Sequence, residues 1–267
     1  MALISLHDKA KIEAFLRLNV ALHLYELGDL DPFFWPLTQW YGWQEAGELK
    51  ALALLYVAFS PPVLLALAPP EHIPTLRGLV TQLNPLLPRQ VYTHLTLGIE
   101  DLFHVDFQLE SYGIHQKMSL IDPTRLEAFL TPEVVRLTPA DHPALATLYS
   151  ASYPDNAYDP RMLETGQFFG LWYEGKLVSV AGIHVYSPAY RVATIGNVAT
   201  HPAYRNRGLG QTVIATLTHS LLAKVDDIGL NVKVDNLAAI HTYKKLGFET
   251  VAPYHEIMLR AKVYKGI

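Results

Sequence analysis

Between residues 9 and 28 the apolar side chains Ile12, Phe15, Leu16, Val20 and Leu22 recur mostly three or four positions apart, which predicts a helix that Gly28 can close. The period then shortens. Runs rich in aromatic and β-branched residues at 38–43, 49–59 and 62–67 predict three strands, and the 3.6-residue pattern returns over 71–83. A strand at 91–97, a short helix near 99–109 and a strand around 116–122 complete the first half. Its order is helix, three strands, helix, strand, helix, strand.

The second half repeats much of that order. A strand at 133–137 precedes a helix over 139–153 that Thr138 or Asp141 can cap. Residues 168–186 predict two strands joined at the hairpin corner Glu174-Gly175, and 190–200 a third. A helix over 212–225, a strand at 228–234, a helix at 237–247 ended by Gly247, and strands at 248–254 and 256–263 follow. No motif residues match between the halves, so the repeat rests on element order alone. Segment 120–133 has prolines at 123 and 132 and no strand alternation. It predicts a boundary there, with an α/β domain over 1–130 and a second over 131–267.

Composition narrows the reading. Half of the 267 residues are hydrophobic and no low-complexity or like-charge run interrupts them, so the whole chain is expected to fold. The absence of cysteine removes disulfides, thiolate metal sites and a cysteine nucleophile, and favours the cytoplasm. Asp8 and Lys9 come too early for the apolar core of an export signal. The most apolar stretch, from Ala51, is cut by Ser60-Pro61-Pro62, so it predicts two buried strands and no membrane span. A net charge of −4 argues against a nucleic-acid partner, while the halves differ: residues 1–130 carry 8 basic and 14 acidic side chains, the remainder 13 and 11. Twelve histidines without an HExxH spacing give no reason to expect a metal.

The candidate chemistry gathers at 201–211, HPAYRNRGLGQ, between a strand and a helix. A strand, a tight turn and glycines opening a helix aim several backbone N–H groups at one point, with the positive end of the helix dipole behind them. Gly208 and Gly210 lack a Cβ that would hold an anion away, and Arg205 and Arg207 can add charge-assisted bonds. A pyrophosphate suits that corner. Gln211-Thr212 stands where a P-loop needs Lys-Ser/Thr, and Val213 where a dinucleotide fingerprint needs its third glycine.

Residues VATHPAYRNRGLGQTVIATL, followed by VDNLAAIHTYKKLGF, resemble the core signature of the GNAT superfamily of acyl-coenzyme A dependent N-acetyltransferases. The likeness lies in the Arg-x-x-Gly-x-Gly loop and in Asn236 and Tyr243, seven residues apart before Leu-Gly-Phe. It covers 195–248 by motif and 133–262 by element order, and implies a mixed, mostly antiparallel sheet flanked by helices. The preceding, smaller α/β domain, of similar element order, would be a degenerate copy in a tandem protein.

The resemblance also implies roles. Backbone amides from Asn206 through Arg207, Gly208, Leu209 and Gly210 to Gln211, with Arg205, would bind the pyrophosphate of acetyl-coenzyme A. Val198, Ala199 and Thr200 would pair with its pantetheine arm, the Val198 N–H facing the thioester oxygen. Asn236 would bond the pantetheine region and Tyr243 would protonate the departing thiolate. Asn236 is equally a helix N-cap and Tyr243 equally a core aromatic.

The general base does not transfer. Asn197 and Asn231 stand where many relatives carry a glutamate, leaving His184, Tyr186, Asp159, Glu164 and His241 as substitutes. His184 ranks first because imidazole titrates near neutral pH. The expected acceptor is a primary amine on a small molecule or peptide; the missing carboxylate keeps a non-catalytic coenzyme A binding or sensing module as the alternative.

Overall fold

The computed structural model describes residues 2–154 and 156–262, which divide into two units, Met1–Lys117 with Val251–Ile267, and Met118–Thr250. The predicted strand 256–263 thus ends on a residue outside those described.

The first unit opens with β1 (Ala2–Leu6), α1 (Lys9–Leu16) and α2 (Leu24–Gly28), so the predicted helix over 9–28 is two helices with a 3-10 turn at Arg17–Asn19 between them. Strands β2 (Thr38–Glu45), β3 (Glu48–Tyr56) and β4 (Val63–Ala66) follow, then α3 (Ile73–Leu83), β5 (Gln90–Thr96) and β6 (Phe107–Leu120). Strands β1 to β4 pair antiparallel in sequence order, and β4 pairs parallel with β5. Leu76, Leu79, Val80 and Leu83 of α3 pack on Ala53, Leu55, Leu64, Val91 and Leu95 of the sheet. Strand alternation turns Tyr92 and His94 to the other face. There Glu256 accepts from the Tyr92 hydroxyl and, at 2.7 Å, from the Tyr254 hydroxyl. His94 Nε2 and His115 Nε2 lie 3.5 and 3.6 Å from the same carboxylate, and the Lys117 ammonium sits 4.9 Å over the Tyr25 ring.

The second unit contains β7 (Val134–Arg136), α4 (His142–Ser152), β8 (Phe169–Tyr173), β9 (Lys176–Ser187), β10 (Val192–Thr200), α5 (Leu209–Leu222), β11 (Asp227–Lys233) and α6 (Leu237–Lys245). Strands β7 to β10 again pair antiparallel in order, and β10 pairs parallel with β11. The β8–β9 hairpin turns at Glu174 and Gly175, with φ of 47° and 74°, the double left-handed conformation of a two-residue turn. Val213, Ile214, Leu217 and Leu221 of α5, spaced for one helical face, are buried in this unit's core. Both units share the order strand, helix, three antiparallel strands, helix, parallel strand, with β1, which the sequence pattern did not predict, supplying the first strand. The helix predicted near 99–109 is only the 3-10 turn Glu100–Phe103, and 107–109 already belong to β6, so among the described residues the first unit has no counterpart of α6.

Two expectations are corrected. The last strands are one continuous element, β12 (Phe248–Ala261), and its residues 254–260 run antiparallel to β5 from Tyr254↔Thr96 to Arg260↔Gln90. That pairing buries Ile257 and Leu259 with Val91 and Leu95, so residues from 251 onward belong to the first unit. At the other boundary, β6 runs unbroken through 116–120, so the division falls after Lys117 and not at 130/131. Residues 123–129 instead form a 3-10 helix within the second unit.

Candidate active site

Strand β10 keeps its parallel partner only from Val192 to Ile195, opposite Asp227 to Leu230. Beyond that point it bulges. Against β9 the register runs Gly196↔Gly182 and then Ala199↔Val180, so Asn197 and Val198 together face one residue. A bulge leaves its extra residue out of the ladder and bends the strand, which turns the Val198 amide away from regular pairing. Asn197 holds the bend with φ 52°; its Nδ2 donates to Ile183 O at 3.0 Å, and its carbonyl accepts from the Tyr149 hydroxyl at 2.7 Å. Gly196 is fixed by its neighbour. A Cβ there would lie 2.3 Å from the His184 ring, so this histidine stands against the backbone two residues before Val198.

At the end of β10 the Thr200 hydroxyl meets that of Ser179 at 2.8 Å, and the chain enters the 201–211 corner. His201 caps a 3-10 turn, Pro202–Tyr204, by accepting from Ala203 N at 3.3 Å. Asn206 and Gly208 then adopt left-handed φ values of 62° and 79°, on either side of Arg207. Gly208 is the N-cap of α5, and no side chain caps the first turn, so the N–H groups of Leu209, Gly210 and Gln211 point out of the helix end. Space is ample at Gly210, where a Cβ would lie 3.5 Å from Thr200 Oγ1.

The arginines are placed differently from the sequence expectation that both face an anion. Arg205 donates through Nε to Thr200 O at 3.2 Å and through Nη2 to Ser152 O at 3.5 Å, stapling the corner to the end of α4. Arg207 donates to Ala203 O at 3.3 Å and lies 5.1 Å over the Tyr204 ring, yet remains exposed. Backbone amides and helix dipole therefore form the floor of this corner, with Arg207 at its rim.

Asn236 is the N-cap of α6, its Oδ1 accepting from Ala239 N at 3.2 Å, so the capping role foreseen for it is realised. Tyr243, on the same helix, is 8% exposed and meets Phe248 edge-on at a centroid distance of 6.0 Å. Burial, with a smaller contribution from Tyr153, pushes its phenol up to about 12.

Among the substitutes for a base, Asp159 is tied to Arg161, and that hydrogen bonding holds its carboxyl below the usual range. Glu164 and His241 are exposed on the 3-10 turn Pro160–Thr165 and on α6. His184 alone of them is packed on the bulge. Asn197 Oδ1 and Asn231 Oδ1 are buried acceptors without a hydrogen-bond partner, at the bulge and just past the last residue of β11 that pairs with β10. Among the described residues no group of His, Cys, Asp and Glu could hold a metal ion.

Sequence reasoning missed Gly196 and Tyr149. A glycine before an asparagine within an apolar strand run is a bulge signal that could have found the first. Nothing local marks the Tyr149 hydroxyl, which acts 48 residues along the chain.

This geometry has relatives. Residues 133–248 match the model of the Acetyltransferase (GNAT) family. A mycothiol acetyltransferase of Tsukamurella paurometabola is 38% identical over 76 residues, 28% of this chain and 26% of that protein, so the match spans about a quarter of this curated relative. Among solved structures, a putative GNAT-family acetyltransferase of Novosphingobium aromaticivorans superposes with TM-score 0.62 at 20% identity, over 91% of this chain and 99% of that one. A tandem GNAT protein from the clavulanic acid biosynthesis pathway superposes with TM-score 0.56 at 15% identity, over 99% of both chains. The motif, the bulged strand and the uncapped helix all lie within the residues 133–248 that match the Acetyltransferase (GNAT) family model.

Proposed function

We propose that this domain transfers an acetyl group from acetyl-coenzyme A to a primary amine of a small molecule or peptide. The observation that carries the reading is the bulge at Asn197–Val198, which ends the β10–β11 pairing on a strand that runs into the uncapped first turn of α5. A strand freed on one side can accept an extended arm by main-chain hydrogen bonds, and a helix N-terminus can accept a pyrophosphate. Val198, Ala199 and Thr200 would hold the pantetheine arm, and the amides of Asn206 to Gln211, with Arg207 beside them, the phosphates.

When bound, acetyl-coenzyme A supplies the activated acyl carbon. The Val198 N–H donates to the carbonyl oxygen as charge grows there. His184 takes the proton of the attacking amine, directly or through a water oriented by Asn197 or Asn231. Tyr243 gives a hydrogen bond to the leaving sulfur. The cytoplasm is the compartment proposed; no helix among the described residues is long and apolar enough to cross a membrane.

A second reading, a coenzyme A binding or sensing module without turnover, is favoured by Asn197 and Asn231 at positions where a carboxylate base is expected. Calorimetric titration with acetyl-coenzyme A and release of free thiol across an amine panel separate the two. Binding at one site per chain with amine-dependent thiol release supports the enzyme. Binding with no thiol release from any amine selects the sensing module, and no binding at millimolar ligand overturns both.

A further inference from the structure

The first unit holds a second chemical constellation, formed by residues from three separate segments. Ser111 Oγ on β6 lies 2.7 Å from His255 Nε2 on β12, and His255 Nδ1 lies 3.0 Å from Glu100 Oε1 in the 3-10 turn after β5. The proton positions follow from donor and acceptor types. A carboxylate only accepts, so Nδ1 carries the hydrogen, Nε2 is left with its lone pair, and the Ser111 hydroxyl donates to it. Both ends are anchored: Glu100 Oε2 accepts from Gly98 N–H at 2.7 Å, and Ser111 Oγ accepts from Gly113 N–H at 3.1 Å, where β6 kinks with φ 99°. His255 and Glu100 are about one-fifth exposed, whereas Glu110, Ser111 and Tyr112 are exposed. Base and orienting carboxylate are shielded; the hydroxyl is open to solvent.

Nucleophile bonded to base, and base bonded to an orienting acid, is the geometric test for an activated serine. We propose that Ser111, His255 and Glu100 form a serine-nucleophile site that hydrolyses esters of small acyl groups. Ser111 Oγ bonds to the acyl carbon while its proton passes to His255 Nε2. The bond from that carbon to the alcohol oxygen then breaks, and the alcohol leaves with the proton. Water, losing a proton to His255, adds to the acyl carbon; the acyl–Oγ bond breaks, the acid departs and Ser111 regains its hydrogen. Ester and water give acid and alcohol.

Substrate class follows from the surroundings. Glu110 and Tyr112 lie on the other face of β6, where the Tyr112 hydroxyl donates to Glu110 at 3.4 Å and Arg260 pairs with Glu110 at 3.3 Å, so neither borders the Ser111 hydroxyl, while Glu100 is held by His255. An uncharged ester with a short acyl group fits a solvent-open hydroxyl of this kind.

Labelling of the full chain with a fluorophosphonate, followed by peptide mass spectrometry, is expected to place the adduct on Ser111. With p-nitrophenyl acetate a burst of about one equivalent per chain is expected, and Ser111→Ala is expected to lose the burst and at least tenfold of turnover. Glu100 is a positioning residue: Glu100→Gln is expected to lower kcat at least tenfold with KM within twofold, and Glu100→Asp to recover part of it. A wild-type chain that takes no adduct on Ser111, or a folded Ser111→Ala variant that hydrolyses the ester at the wild-type rate, overturns the proposal. The assays contain no coenzyme A, so their outcome is independent of acetyl transfer.

Discussion

Replacing Tyr243 by phenylalanine isolates one hydroxyl in the proposed mechanism. The ring is buried and its edge-on contact with Phe248 is kept, so stability should change by less than about 1 kcal/mol, the range of a typical hydrogen bond. The effect on rate can be bounded from the phenol itself. Its pKa is pushed up to about 12, whereas an ordinary thiol titrates at about 8.5, so complete transfer of the phenolic proton to the leaving sulfur is uphill by roughly 3.5 units, or about 5 kcal/mol. Tyr243 therefore acts by donating a strong hydrogen bond to the leaving sulfur while keeping its own proton, the amine proton going to His184. General acid catalysis contributes about 10² to 10⁴, and the uphill transfer puts this case at the lower end. Tyr243→Phe is expected to lower kcat about 100-fold with the KM for acetyl-coenzyme A within twofold, followed by thiol release with the preferred amine. The sign of the pH dependence is fixed too: a raised pKa keeps the donating form up to about 12, so this group causes no loss of rate between pH 7 and 10. A variant within threefold of wild type, or an alkaline loss below pH 10 that disappears in Tyr243→Phe, would refute the assignment.

Two further outcomes test the packing. At Gly247, φ is 92° and a Cβ would sit 2.0 Å from Asp122 O, while the Gly247 carbonyl accepts from Ile121 N and Asp122 N at 2.9 and 3.1 Å. Gly247→Ala should cost about 3–4 kcal/mol, the sum of left-handed strain and overpacking, and a urea midpoint shift worth less than about 1 kcal/mol would contradict the geometry. His94 is held down to about 4 by burial, against the opposing pull of Glu256, with Lys117, Glu26 and His115 adding smaller effects. Its contribution to stability is full above pH 6.5 and is lost as the pH falls toward about 4, roughly 3 kcal/mol in all, because the unfolded chain takes up the proton first. Chemical denaturation at pH 7, 5.5 and 4.5 should show a smaller fall for His94→Gln than for wild type; equal falls would reject this account.

What the sequence made legible was local. The strand, the left-handed turn, the two glycines and the helix of the 201–211 corner lie within about thirty residues, and their physics is contained in that stretch. Asn236 as a cap and Glu174-Gly175 as a hairpin were readable for the same reason. β1 escaped because five residues at the chain start, unframed by a turn signal, do not establish a period. The unit boundary escaped because it depends on β12 pairing with β5, about 164 residues apart. The arginines misled in a different way. Their charge was visible, but not that Ser152 O and Thr200 O would claim Arg205. Ser111, Glu100 and His255 could not be grouped from sequence at all, since Ser111 and His255 are 144 positions apart.

The two units, sharing one strand order, differ at the residues that would open the proposed donor site. In the second, β10 outlasts its pairing with β11, and the bulge at Asn197–Val198 carries it into an uncapped helix end. In the first, β4 ends at Ala66 while still paired with Leu95, and Thr96 stitches the next step shut: its hydroxyl accepts from Ala68 N at 2.8 Å and donates to Ala68 O at 3.2 Å. The main-chain groups that an extended arm would need are already bonded to the neighbouring strand. The corner that follows is changed in the same direction, because Pro69 and Pro70 have no N–H to offer, Glu71 brings a negative charge, and Pro74 stands in the first turn of α3. Either change alone weakens an anion site; together they argue against a pyrophosphate at this corner of the first unit. Its chemistry-bearing residues lie elsewhere, on β5, β6 and β12, so the repeated order of elements carries over the scaffold and not the site.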